Sequence, residues 1–230
     1  MKKLLLLIAI IAGTSLFAQE LTSYGVKAGL AYGGGKTTDA DYNSLFKPTV
    51  AFTIGAFAEF KFSDQFGVRP ELNFLQTKFK GTGEDVQFNE LFGGLKVNNE
   101  INGTRNYLNI PVLVEYYVMD ELSINAGPYV SFLMSAKDDG KFTLYHPLLG
   151  EQVAVSDNED VKDNYKSTDF GLALGATYNL DNGLFIDARY NLGLNDQDAK
   201  TKGTTSGSGL GQADYAIHNR IAQFTLGYRF

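Results

Sequence analysis

Apolar side chains recur at every second position through eight stretches of this chain, at about 23–33, 49–62, 67–80, 104–118, 121–136, 167–181, 184–195 and 217–230. A period of two belongs to a β-strand whose two faces meet different surroundings. The fourth stretch sets Leu108, Ile110, Val112, Val114, Tyr116 and Val118 against Asn109, Pro111, Leu113, Glu115 and Tyr117. The second sets Val50, Phe52, Ile54, Ala56, Ala58, Phe60 and Phe62 against Thr53, Gly55, Phe57, Glu59 and Lys61. The last sets Ala222, Phe224, Leu226, Tyr228 and Phe230 against Gln223, Thr225, Gly227 and Arg229.

The connections between these stretches alternate strictly in length. Three are tight, at Ser63–Phe66, Met119–Asp120 and Asp181–Gly183, and Asn182-Gly183 has the chemistry of a primed hairpin turn. Four are long, at about 34–48, 81–103, 137–166 and 196–216. In an up-and-down barrel, this alternation gathers every long loop at one end. Short inner turns and long outer loops mark the barrels of outer membranes.

The contents of the two faces select lipid over water. The polar face is mostly small, with Gly25, Gly29, Gly55, Gly127, Gly171, Gly175, Gly193 and Gly227, and small groups suit a narrow lumen. The apolar face carries Phe60, Phe62, Tyr116, Tyr178, Tyr228 and Phe230 near strand ends, where an interfacial girdle would sit. A soluble barrel would reverse these faces. Only helices and closed barrels satisfy every backbone group in a bilayer. The expected fold is therefore all-β, an eight-stranded antiparallel up-and-down transmembrane β-barrel.

The start of the chain changes where that barrel is expected to reside. Lys2 and Lys3, the apolar run Leu4–Ala12 and the small Ala18 before Gln19 read as a cleaved export signal over residues 1–18, leaving 19–230 as the barrel domain. The run falls short of the ~20 apolar residues that a spanning helix needs. The remaining chain has no Cys, which excludes a disulfide framework and thiolate metal sites. Setting aside Lys2 and Lys3, 18 basic residues face 26 acidic ones, a net of −8 that disfavours nucleic acid as a partner.

Three segments carry a family likeness: PELNFLQTKFKG at Pro70–Gly81, YLNIPVLVEYY at Tyr107–Tyr117 and AGPYVSFLMSAK at Ala126–Lys137. With the terminal LGYRF, they make the chain resemble the PorT-like outer-membrane β-barrel family, a small barrel of OmpA/OmpX type. The resemblance covers essentially the whole mature chain. It implies the fold, and its motifs mark strand and turn geometry rather than chemistry. A part in protein secretion is implied by the name-giving member alone, and no catalytic residue is carried over.

Parity points eight charged side chains into the lumen: Glu59, Lys61, Arg69, Glu71, Glu115, Asp187, Arg189 and Arg229, all toward the short turns. Lys61/Glu59 and Arg69/Glu71 face each other across one hairpin. Buried charges persist only when paired, so a salt-bridge plug is expected, with a gated ion path as the alternative. An eight-stranded barrel is just wide enough for its side chains to fill.

Two outer loops offer interaction surfaces. Phe88, Leu91, Phe92 and Leu95 fall at helical spacing in the second loop, weakened by Gly93 and Gly94. The third loop is acidic, and is expected to be solvated and mobile. Its Phe142, Leu144, Tyr145, Val153 and Val155 could extend the strands as a hairpin, and Phe142 and Tyr145 join the interaction candidates. No spaced Asp/Asn–Gly calcium loop is present, so no metal is expected, and no cofactor. His146 and His218 are the only histidines, and no hydrolytic triad is discernible.

The expected function is thus non-enzymatic: a structural or interaction protein of the bacterial outer membrane. A small pore for ions or solutes and an accessory of a secretion machine are the alternatives. Expected partners are outer-membrane lipid, an extracellular or secretion-machine protein, and the barrel-assembly machinery, which would read Phe224, Leu226, Tyr228 and Phe230 as an assembly signal.

Overall fold

The computed structural model describes residues 21–36, 46–82, 86–87, 96–146, 150–197 and 216–230. Their strands are β1 (Ser23–Lys36), β2 (Phe46–Lys61), β3 (Phe66–Thr82), β4 (Val86–Gln87), β5 (Lys96–Tyr117), β6 (Leu122–His146), β7 (Gly150–Asp160), β8 (Thr168–Asn179), β9 (Leu184–Gly193) and β10 (His218–Arg229). Eight form a closed antiparallel ring in the order β1-β2-β3-β5-β6-β8-β9-β10, with β10 pairing back onto β1 and β5 onto β6. The short β4 adds to β5 and β7 adds to β6 beyond the ring. The eight alternating stretches are these eight ring strands.

Closure leaves the backbone of each ring strand paired on both sides, and side-chain parity then sorts the residues. On β10, Gln223 and Thr225 are buried while Phe224 and Leu226 are exposed. On β8, Leu174 is 64% exposed while Asp169 and Thr177 are buried. Large apolar groups therefore stand on the outside and charged ones within, the inverse of a soluble protein. Burying one such apolar side chain is worth roughly 1.5–3 kcal/mol, so over eight strands the band gains on the order of tens of kcal/mol by meeting lipid rather than water.

At the end carrying the short turns, aromatic rings join in a girdle. Phe62 stacks with Phe66, Phe66 touches Tyr116, Tyr228 meets Phe230, and Phe230 stacks on Tyr24. The third turn differs from its expected form. Within this turn only Gly183 takes a positive φ, +82°, and no non-glycine residue in the described chain does, so this is not a primed turn. Gly183 N–H donates to the Leu180 carbonyl at 3.2 Å, and the Asn182 side chain accepts from Leu184 N–H at 3.1 Å. A type I turn closed by a left-handed glycine gives this pattern.

The luminal face is less uniformly small than expected. Phe57, Leu75, Tyr107, Leu113, Tyr129, Leu133 and Phe185 are buried there. The glycines make room for such rings. Phe57 of β2 and Phe185 of β9 meet edge to face at 5.4 Å, with β1 and β10 lying between their strands. A Cβ at Gly227 would stand 2.2 Å from the Phe185 ring, and one at Gly25 2.6 Å from the Phe57 ring.

The third loop is corrected most. Rather than a solvated loop, β6 runs on to His146 and pairs with β7, placing Phe142 opposite Val155 and Leu144 opposite Val153. The chain then turns through a short 3-10 segment, Lys162–Asn164, and re-enters the ring at β8. This is the hairpin that the alternating residues allowed, and its edge strand satisfies backbone groups that a loop would leave to water.

Candidate functional site

Two layers fill the lumen. The lower one, toward the short turns, is charged. Glu71 lies at its centre: Lys27 Nζ approaches its Oε2 at 2.8 Å, Arg69 Nε its Oε1 at 3.0 Å, and Arg189 grips both oxygens at 2.6 and 3.0 Å. Asp187 accepts from Arg69 at 3.1 Å, Arg189 at 3.0 Å and the Thr177 hydroxyl at 2.9 Å. Arg69 also reaches Glu115 at 2.8 Å, and Asn73 donates to Glu71 at 2.9 Å. Three cations, Lys27, Arg69 and Arg189, thus offset three carboxylates, Glu71, Glu115 and Asp187.

A second pair closes this layer below. Arg229 lies 2.8 Å from Glu59, and the Tyr117 hydroxyl sits between Glu59 at 2.6 Å and Glu115 at 2.9 Å. Arg69 and Glu59 are 1% and 0% exposed, so charge is compensated by charge rather than by water.

Seven of the eight predicted charges come together here. Lys61 does not: it ends β2 at the rim, is exposed, and holds its ammonium 4.1 Å from the Tyr117 ring centre. A lysine at the mouth reaches water with its long stem instead of paying for burial. The predicted facing pairs also shift. Arg69 and Glu71 do join, but Glu59 turns to Arg229. Lys27 was missed, although the run Ser23-Gly25-Lys27-Gly29 on β1 carries the inward parity that would have found it.

The upper layer is an apolar cap. Ala31, Leu75, Tyr107, Leu133, Ala136, Val161 and Ile221 form one buried cluster, with Tyr165 packed against it. Val161 and Tyr165 come from the segment between β7 and β8, which folds over the mouth. Arg105 fixes that segment: it donates to the Tyr165 hydroxyl and to Asp138, both at 2.7 Å, and lies 4.5 Å over the Tyr165 ring. Beside the cap, Asp169 accepts from Asn219 at 2.8 Å, Gln197 at 3.0 Å and Tyr129 at 3.2 Å, tying four parts of the mouth together. Arg105 and Asp169 lie within the predicted strands at about 104–118 and 167–181 and have inward parity, yet neither was included in the predicted charge set.

The remaining candidates divide by position. Phe88, Leu91, Phe92 and Leu95 lie outside the described residues. Phe142 and Tyr145 belong to the β6–β7 hairpin, opposite Val155 and Glu151. Phe224, Leu226, Tyr228 and Phe230 occupy the exposed face of the ring, and Phe230 N–H donates to the Tyr24 carbonyl at 2.8 Å.

At the outer rim a cleft of about 550 Å³ reaches from the wall of β1 into the mouth, lined by Tyr32, Lys36 and Arg220 and by the mouth residues Arg105, Tyr107 and Tyr165 among others.

Three solved structures may be set beside this ring. Ail, the attachment invasion locus protein of Yersinia pestis, is 12% identical, with 92% of this chain and 100% of that chain covered and a TM-score of 0.42. The outer membrane protein OprG from Pseudomonas aeruginosa is 15% identical, with coverages of 92% and 97% and a TM-score of 0.39. Neisserial surface protein A is 9% identical, with coverages of 90% and 97% and a TM-score of 0.35. No curated protein matches the chain. A family model described as outer membrane protein beta-barrel domain matches residues 17–199. That match spans more than half of the sequence, and the chain belongs to this family.

Proposed function

We propose that this integral outer-membrane barrel is a closed, non-enzymatic protein that acts through its outward surface rather than through its lumen. One observation carries the reading: two stacked layers, the Lys27–Arg69–Glu71–Glu115–Asp187–Arg189 network and the apolar cap at Tyr107, Leu133 and Val161, occupy the bore. An ion crossing it would have to break paired buried charges, each costing several kcal/mol to strand, and then traverse an apolar layer.

The outward end has the features of a contact surface. β6 and β7 project beyond the ring as a paired hairpin and expose Asp157, Asn158, Glu159 and Asp160. A narrower place among PorT-like barrels, with a part in secretion, is supported by the strand segments Pro70–Gly81, Tyr107–Tyr117 and Ala126–Lys137, and belongs to this proposal. The export signal at residues 1–18 belongs to it as well.

Single-channel recording in planar bilayers tests the closed bore. Purified protein is expected to give no steady conductance. Reproducible unitary steps, absent from mock preparations, would make the small pore the correct reading.

A further inference from the structure

We propose that the outer rim of β10, β1, β2 and β3 is a seat for the phosphates of the outer-leaflet glycolipid, lipopolysaccharide. This rests on the long loops facing outward and is independent of whether the bore is closed.

Register fixes which side chains share the lipid-facing wall. On β1 this wall carries Tyr32, Gly34 and Lys36, paired with Ala222, Arg220 and His218 of β10. On β3 it carries Phe74, Gln76, Lys78 and Lys80; Lys78 pairs with Thr49 and Lys80 with Lys47 of β2. Arg220, Lys36, Lys47, Lys78 and Lys80 therefore stand on four adjacent strands, two to six residues above the last lipid-facing apolar side chains. At about 3.3 Å per residue along tilted strands this is roughly 7–20 Å, at and above the headgroup layer.

Charge is unbalanced on this arc. Among the described residues, the wall positions above the band on these four strands include no acid. On β5, β6 and β7 the corresponding positions alternate: Lys141 pairs with Glu100, Lys137 with Asp160, and Asp139 stands between them. The basic arc occurs in a chain whose formal net charge is −6. Lys47 and Lys80 are direct cross-strand partners, an arrangement of like charges that destabilises a sheet unless an anion lies between them.

Tyr32, Val50 and Tyr190, exposed at the top of the band, supply the apolar half of the seat. At Gly34, two residues below Lys36, a Cβ would meet nothing within 4 Å, so the wall is open at that position. An amphiphile with phosphates on a sugar and acyl chains below fits this order: charge-assisted contacts to lysine and arginine above, apolar and aromatic contacts at the top of the band.

The test uses the full chain in detergent micelles freed of lipopolysaccharide, titrated with diphosphorylated lipid A and with its phosphate-free form, read by native mass spectrometry. The wild type is expected to prefer the phosphorylated form by at least about tenfold, and Lys47→Gln/Lys78→Gln/Lys80→Gln to lose at least about tenfold in affinity. Lys137→Gln/Lys141→Gln, on the balanced side, should bind as the wild type does. Millimolar inorganic phosphate should not compete. Equal binding of the phosphate-free lipid, unchanged binding by the triple variant, or displacement by inorganic phosphate would each overturn the proposal. Should the triple variant fail to fold, Lys80→Gln alone with the salt dependence of wild-type binding decides it: salt-insensitive binding refutes the seat.

Discussion

Glu71 touches three cations in the lumen, as Arg69 touches three carboxylates, so its removal strands buried charge. Glu71→Ala should cost about 3–5 kcal/mol, the range for breaking a buried pair, seen as a lower denaturant midpoint in detergent micelles. Lys61→Ala removes a charge of the same hairpin that water already solvates, and should stay within about 0.5 kcal/mol. Equal effects from the two would show that burial does not govern this layer. The contrast also marks what single residues disclose in sequence. Parity separates inward from outward, and it placed Glu59, Arg69, Glu71 and Asp187 correctly. It does not give height, and height separates the buried Arg189 from Lys61 at the rim. Lys27 was legible by the same rule, and adding it makes the central layer three against three.

Elements carry the next level of constraint. The segment closing the mouth is held by Arg105, whose contacts reach Tyr165, Asp138 and the Lys137 carbonyl. A hydrogen bond to a charged group is worth about 1.5–3 kcal/mol, so Arg105→Ala should speed tryptic cleavage at Lys162 and Lys166 by about tenfold or more. The ring should remain heat-modifiable on gels, and cleavage at the wild-type rate would show that Arg105 does not secure the cap. Deeper in the bore, Gly227→Ala presses on the Phe185 ring and should destabilise by about 1–3 kcal/mol, the cost of overpacking. Phe185→Leu in the same chain should recover part of it; no recovery would place the clash elsewhere. Neither device was readable beforehand. The cap is built by contacts between segments far apart in sequence, and the fit of a glycine under a ring depends on register between strands.

At the scale of the molecule, the ring was the most legible feature. A strict period of two with alternating short and long connections leaves few topologies, and every ring strand overlaps its predicted stretch. What escaped the sequence is what extends past the bilayer: β5 begins at Lys96 and β6 ends at His146 because each finds an edge to pair with, a property of neighbours rather than of local pattern. The expectation that the barrel-assembly machinery reads the last strand also belongs to this scale. Deleting Phe230 should reduce insertion in cells while leaving β-content intact after refolding in detergent, and normal insertion would remove the terminal pattern from that role.

Because the chain has no native cysteine, the closed bore can be tested with single thiols in intact cells and in purified protein. Thr225→Cys and Ser131→Cys lie on the buried luminal face, and Asp157→Cys lies on the exposed outer hairpin. A small charged thiol reagent should modify the third rapidly and leave the first two unmodified from either side. Labelling of the luminal pair as fast as the hairpin would mean that water fills the bore, and the account of a closed barrel would be wrong.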